Sequence, residues 1–326
     1  MSRYDLVVLG DCNPDVLVTG DDVTPSFGQQ EKLVDGISLV IGGSAAITAV
    51  AAARLGLRVA LVAAVGADPA GRFMLDQLSA EGVDVSQVAV RENVPTGMTV
   101  ALSRGGDRAS LTALGAVASL TAADVPRELL AEARHVHASS WFLLADSLGP
   151  GLAGLFATAR AEGATTSLDT NWDPNERWTS EHLSTAIAQV GLLLPNEAEA
   201  LRLSSALSLD EAAGKLTAAG PRLVVKRGER GALCVDGSGA DGPSRYQVSL
   251  PPVVPADTTG AGDCFNAGLI AGLLDGMDLP RAAALGCAAG ALSTAAPGGT
   301  ASAPDRTAAV KLASTASITP PAAPRR

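Results

Sequence analysis

Residues 257–263 of this 326-residue chain read Asp-Thr-Thr-Gly-Ala-Gly-Asp, a run whose types and spacing suit anion binding and proton abstraction together. The approach, Tyr246 to Val254, is strand-like and ends in Pro255; beyond the run Phe265, Leu269 and Leu273 recur at i, i+4 and i+8, one stripe of an amphipathic helix. A glycine-rich turn feeding a helix start leaves backbone N–H groups without partners, aimed where an anion can sit. Glycine lets a phosphate approach because no Cβ stands in the way. The carboxylate of Asp263 separates this run from a plain anion nest. It would repel a phosphate, so binding alone gives no reason for it. A transfer reaction does, because an attacking hydroxyl must lose its proton. An aspartate favoured by the helix dipole is the blander reading, yet dipole complementarity does not call for the surrounding glycines.

The rest of the chain must position that turn. Short apolar strands are expected at 4–10, 58–65, 134–140, 165–169, 190–194, 222–226 and 231–236. Alanine-rich helices are expected at 44–55, 70–81, 150–162, 180–189, 197–203, 209–219, 261–275 and 279–295. This alternation predicts an α/β fold, a largely parallel sheet with helices on both faces. Two stretches break the rhythm. Residues 13–40 and 96–114 read as polar or alternating strands, with Thr99, Ala101 and Ser103 interleaved with Val100 and Leu102. They predict a small β-lid on a core made of 1–12, 41–95 and 115–312, while the low-complexity 313–326 is expected to be disordered.

Gly42-Gly43-Ser44-Ala45-Ala46 opens another helix, where a diglycine permits close approach to a ligand; alone it reads equally as a strand-to-helix turn. With Val65-Gly66-Ala67-Asp68-Pro69-Ala70-Gly71, Glu81-Gly82-Val83-Asp84 and the run from Asp257 to Phe265, it resembles the two signature regions of the ribokinase family, also called the PfkB carbohydrate kinases. The resemblance runs in consistent order from about residue 5 to 305. It implies a ribokinase-like three-layer α/β/α core with a β-lid, and ATP-dependent phosphoryl transfer to a hydroxyl of a sugar or sugar derivative. By the resemblance Asp263 is the general base, and the N–H groups of Gly260, Ala261, Gly262 and Asp263 form the anion hole. This suits a reaction driven by positioning and charge stabilisation. The alternatives are a nucleoside kinase of the same family and a non-catalytic sugar or nucleotide sensor. A sensor has no need of a base, and a chain with 3% aromatic residues offers little platform for a nucleobase.

Other positions follow from the same resemblance. Asn13-Pro14-Asp15 resembles the substrate segment: Asp15 accepts hydrogen bonds from sugar hydroxyls, with Asn13, Gly42 and Gly43 beside it. A turn-forming aspartate is the plainer reading. Asn196 and Glu199 match an Asn-x-x-Glu motif that organises magnesium and its waters, and Asn196 reads equally as a helix cap. Lys226-Arg227-Gly228, with Thr258, resembles the segments lining the nucleotide; Lys226 or Arg227 is the phosphate ligand, or the two are an exposed basic pair. Asp257 and Thr259 match positions that bind potassium in many relatives, with partners around Ser293, Ala296, Gly298 and Ser302. Ile47 departs from the pattern, since many relatives carry there an asparagine that contacts the acceptor. Asp169-Thr170-Asn171-Trp172-Asp173-Pro174 resembles the Asp-x-Asn segment of fructokinase-like and ketodeoxygluconate-kinase-like branches, expected at the active-site edge, and the nearby Arg177 either reaches an anionic substrate group or stays solvated. Some relatives dimerise through the lid, which the alternation at 99–103 permits.

A net charge of −10 argues against nucleic-acid or membrane-surface partners, so an anion must be held by local donors. Cys12, Cys234, Cys264 and Cys287 make no CxxC pair, and no long apolar span or leader is visible; a cytoplasmic protein is expected. Gly149-Pro150-Gly151-Leu152-Ala153-Gly154 mimics a dinucleotide fingerprint, but a loop separates it from the preceding strand and a proline sits in its turn. His135 and His137 alternate on one strand without a third ligand nearby, which favours packing or hydrogen bonding over a metal.

Overall fold

The strand Tyr4–Leu9 shows how the layers arise. Its side chains alternate, so Val7 and Leu9 enter one hydrophobic core while Leu6 and Val8 enter another. A strand buried on both faces belongs inside a parallel sheet. In the computed structural model, which describes residues 2–104, 107–237 and 244–320, that sheet has nine strands. Their order is Ser317–Thr319, Ser244–Ser249, Ala232–Asp236, Arg222–Lys226, Leu192–Leu193, Thr165–Leu168, Ala133–Ala138, Tyr4–Leu9 and Val59–Val62. From Arg222–Lys226 to Val59–Val62 the strands are parallel, and the edge beyond Arg222–Lys226 is antiparallel.

Helices Gly149–Ala161, Glu181–Gln189 and Leu209–Ala218 cover one face; Ser44–Arg54, Ala261–Leu274 and Leu279–Ser293 cover the other. The last two approach closely through glycine. A Cβ on Gly268 would lie 2.7 Å from the Leu285 carbonyl oxygen, and one on Gly290 2.8 Å from that of Ala261. The first turn of Ala261–Leu274 is thereby fixed against its neighbour.

A second sheet orders its strands Gly36–Gly42, Asn13–Thr19, Met98–Arg104 and Asp107–Ala113. Its register sets Asn13 opposite Gly42, and Asp15 opposite both Val40 and Thr99. Val16 lies between Leu39 and Val100, and Val18 between Ile37 and Leu102. With Leu111 opposite Val100 these residues make one apolar face, on which Ile37 is 67%, Leu39 44% and Leu111 66% exposed.

Three local expectations change. The strand expected over Tyr246–Val254 is Ser244–Ser249; Pro251, Pro252 and Pro255 carry no N–H to extend a ladder. Residues 313–326, expected to be disordered, include Ser317–Thr319, which pairs antiparallel with Gln247–Ser249 and covers an open sheet edge; 321–326 lie outside the described residues. Residues 190–194 contribute only Leu192–Leu193 as strand.

Candidate active site

The turn before helix Ala261–Leu274 is held from beneath by the buried Asp257. One carboxylate oxygen accepts from the N–H and hydroxyl of Thr259, at 2.9 and 2.7 Å; the other accepts from the N–H of Gly298 at 2.8 Å. Gly260 follows in a left-handed conformation, φ +71°, where a Cβ would lie 2.7 Å from Gly299 Cα. Only glycine fits there without strain. Of the four expected anion-hole groups, the Ala261 N–H reaches back to the Thr258 carbonyl at 3.2 Å. Those of Gly260, Gly262 and Asp263 have no acceptor among the described residues. They make the electropositive end of a helix.

Asp263 is 7% exposed at this helix start. Burial first, then the charges of Asp169 and Asp11, push its carboxyl well above the ordinary carboxylate range; Lys226 and a hydrogen bond with Ser44 pull the other way. Ser44 begins the helix after Gly43, and its hydroxyl accepts from Asn171 Nδ2 at 2.9 Å. Asn171 Oδ1 in turn accepts from the Ser140 N–H at 2.8 Å. Asn171 (φ 56°) and Ser140 (φ 57°) are both left-handed, a strain that functional sites commonly retain. Asp11 caps the same helix start, accepting from the N–H groups of Ser44 and Ala45 at 3.1 and 3.0 Å.

Around Asp15 the register brings the expected residues together. A Cβ on Gly42 would fall 2.0 Å from Asp15 Oδ1, so the carboxylate lies against that glycine. Asn13 Nδ2 donates to Asp15 Oδ1 at 3.2 Å and to the Thr99 hydroxyl at 3.3 Å. Gly43, at φ +83°, passes beside the Asp11 carbonyl.

On the other side Asn196 and Glu199 form a reciprocal cap: Asn196 N–H donates to Glu199 Oε2 at 2.8 Å, and Glu199 N–H to Asn196 Oδ1 at 2.9 Å. Burial, then the neighbouring Asp169 charge, pushes Glu199 above the ordinary carboxylate range. The Lys226 ammonium pairs with Asp169, which also accepts from Asn266 Nδ2 at 2.6 Å. Burial disfavours charge on Lys226, but Asp169 and Glu199 outweigh it and the ammonium stays charged.

The pfkB carbohydrate kinase family model matches residues 4–306. The chain belongs to this family. It is 30% identical to fructoselysine 6-kinase of Shigella flexneri over 275 residues, covering 83% of this chain and 94% of that protein. It is 29% identical to ribokinase of Bacillus subtilis over 300 residues, covering 85% and 88%. A putative ribokinase II of E. coli, solved in complex with ATP and Mg²⁺, shares the fold with a TM-score of 0.81 at 24% identity, over 94% of this chain and 98% of that one. The protein is an ATP-dependent carbohydrate kinase, and the expected ribokinase-like α/β core is the fold observed.

Several residues singled out in the sequence take definite places in the structure. Arg227 donates to Glu197 at 2.9 Å and to Gln247 at 2.7 Å, so of the basic pair it is Lys226 that faces the site. Gly228, at φ +57°, turns the chain into Gly228–Arg230, and Thr258 is exposed. Ile47 is 3% exposed and wedged between Gly260 and Gly299, so it buttresses the anion turn. Glycines 149, 151 and 154 of the false fingerprint lie within a helix, Gly151 against Ala122. Cys264 is buried, its thiol pushed up to about 12 by burial.

His135 and His137 join a buried ladder. His135 bonds Thr165 and Ser167, each at 2.7 Å, while His137 bonds Ser167 at 2.7 Å and Ser139 at 2.8 Å. Burial first lowers them to about 3 and about 4, so both rings are neutral.

Sequence reasoning missed Asp11, just beyond the end of strand Tyr4–Leu9, and Asn266, one turn beyond Asp263 on the same helix. Both stood where rules could have found them, at a strand end and at i+3 from the base. A magnesium ion reached through water fits the donor set: Glu199 supplies a carboxylate, and the buried Asn266 Oδ1 has no partner among the described residues.

Proposed function

We propose that Asp263 is the general base of this kinase, removing the proton from the attacking sugar hydroxyl as the γ-phosphoryl group leaves ATP. The observation carrying this reading is a buried carboxylate at a helix start beside the N–H groups of Gly260 and Gly262, which have no acceptor among the described residues. Those N–H groups, with that of Asp263, hold the transferring phosphoryl oxygens; Ala261 joins once its N–H leaves Thr258. A base with a raised pKa stands closer to the proton it must accept, which favours transfer near neutral pH. Asp15 and Asn13 orient the sugar over Gly42 and Gly43, Lys226, Gly228 and Thr258 line the phosphate side, and Asn196 and Glu199 organise magnesium through water. Magnesium, when bound, neutralises charge on the phosphates. Asp257 and Thr259 are the site of a potassium ion that stiffens the anion turn, their partners coming from the loop that already meets Asp257 through Gly298.

The second sheet, from segments 13–40 and 96–114, acts as a lid that excludes water. Its exposed apolar face, with Ile37, Leu39 and Leu111, pairs with the same face of a second copy. No helix among the described residues is long and apolar enough to cross a membrane, and four buried free cysteines suit a reducing cytoplasm. A nucleoside acceptor is the second reading, favoured by Trp172, 46% exposed next to Asn171 and braced edge-on by Trp178 at 4.8 Å.

The test is ADP release from Mg-ATP across pentoses, ketohexoses, sugar acids, sugar phosphates, fructosamines and nucleosides, with and without potassium. One sugar turned over by the wild type and nearly lost in Asp263→Asn supports the reading. Turnover confined to nucleosides replaces the acceptor class. Full turnover in the variant removes Asp263 as the base.

A further inference from the structure

The buried ammonium of Lys226 is in an odd place. Its Nζ lies 3.5 Å from where a Cβ on Gly262 would stand, at the electropositive start of helix Ala261–Leu274. A cation there has the wrong sign for the helix dipole and for the free N–H groups of Gly260, Gly262 and Asp263. Its side chain is only 13% exposed, so water does little to offset either that repulsion or the loss of hydration. An apolar side chain at a strand end beneath a helix would avoid both costs. What holds the ammonium is Asp169, 1% exposed in its side chain, whose Oδ2 pairs with the ammonium and also accepts from Asn266 Nδ2 at 2.6 Å. The backbone N–H of Asn171 also donates to Asp169, at 3.3 Å. Base and grip therefore come from one helix, since Asn266 follows Asp263 by a single turn.

We propose that Lys226 is a catalytic residue that donates to a non-bridging oxygen of the transferring phosphoryl group, and that Asp169 and Asn266 are positioning residues that hold its ammonium there. The inference rests on the kinase reading and deepens it. In the step, the acceptor oxygen forms a bond to the γ-phosphorus while the bond to the bridging oxygen of ADP breaks. The hydroxyl proton passes to Asp263, and Lys226 keeps its own protons throughout. The ammonium and the three free N–H groups then converge on one anion, which removes the repulsion that each exerts on the other. A fixed cation at that point stabilises the charge that develops on the phosphoryl oxygens.

The experiment measures kcat and KM for ATP and for the acceptor in wild type, Lys226→Met, Lys226→Arg, Asp169→Asn and the double variant Lys226→Met/Asp169→Asn, with thermal unfolding of each. The double variant removes both charges, so no buried ion is left without its partner and folding is retained. It and Lys226→Met are expected to lose about a hundredfold in kcat with KM for the acceptor nearly unchanged, the scale set by removal of one transition-state donor. Lys226→Arg should recover part of the loss. Asp169→Asn alone should lower kcat about tenfold, yet lower it no further once Lys226 is already Met, because it acts through the lysine. A folded double variant with wild-type kcat overturns the inference while the wild-type turnover keeps the kinase reading intact. Equal and independent losses at the two positions overturn the positioning role of Asp169. A wild type that releases no ADP with any acceptor overturns the kinase reading and this inference together.

Discussion

The anion turn and the second sheet are built on opposite plans. At the turn the working groups are backbone N–H donors and nearly dry charges, fixed by Asp257, by Ile47 and by glycines that allow no other residue. On the second sheet they are side chains, Asp15, Asn13 and Thr99, on a layer whose far face is open apolar surface. Under the proposed assignment the difference separates what every phosphoryl transfer needs from what one acceptor needs. The first tolerates almost no change of shape; the second can be rewritten one side chain at a time.

The sharpest way to break this contrast is at the base. Asp263→Asn is expected to lower kcat by roughly 10³- to 10⁴-fold in steady-state assays, near the upper range for general-base catalysis, with ATP affinity retained. The same variant should unfold at a temperature higher by about 2 °C, because it removes a buried charge that folding disfavours. The pH profile carries the same sign. A carboxyl held above its ordinary range is protonated as pH falls through that raised value, and a protonated base accepts nothing. The acid limb of kcat/KM should therefore lie above the usual carboxylate range, and an acid limb at or below the ordinary value would place the base elsewhere.

Next is Gly260→Ala, which combines a left-handed backbone with a 2.7 Å clash against Gly299. A loss of about 2 kcal/mol of stability, read by denaturant titration, and a marked fall in kcat are expected. On the acceptor side Asp15→Asn should raise KM for the sugar by about tenfold, the scale of one charge-assisted hydrogen bond, while kcat falls less. A kcat loss larger than the KM effect would make Asp15 part of the chemistry and erase the contrast. The smallest effect is expected from Ile37→Lys with Leu111→Lys on the open face: kcat per chain within about twofold, with the mass measured by light scattering moving from dimer to monomer.

Much of this was legible in sequence because it was local or periodic. The glycine turn, the diglycine and the parallel strands each announce themselves within one window, and Asp15 could be paired with Gly42 once 13–40 was read as strands. Asp11, Asp169 and Asn266 were harder. Each is a single polar residue whose meaning depends on strands and helices distant in sequence coming to one end of the sheet. The choice between Lys226 and Arg227 turned on where the strand ends: Lys226 is its last residue, while Arg227 opens the next turn and is taken by Glu197 and Gln247. The tail strand Ser317–Thr319 could not be read from its composition, because an unpaired neighbouring edge recruits it.

The histidine ladder has a further consequence, for assembly. The Thr165 hydroxyl donates to the Arg134 carbonyl at 3.3 Å, so it accepts from His135 Nδ1, and every later bond takes its direction from that one. Both rings are thereby committed to the Nδ1–H tautomer. Slide strand Thr165–Leu168 past Ala133–Ala138 by one residue, and its hydroxyls turn to the opposite face: His135 loses both partners and His137 loses Ser167, keeping only Ser139 of its own segment. At about 1 kcal/mol for each bond, and more for each imidazole left dry, the misaligned pairing is rejected as a unit. The ladder works as a spelling check at the centre of the sheet, giving these two strands a single way to come together.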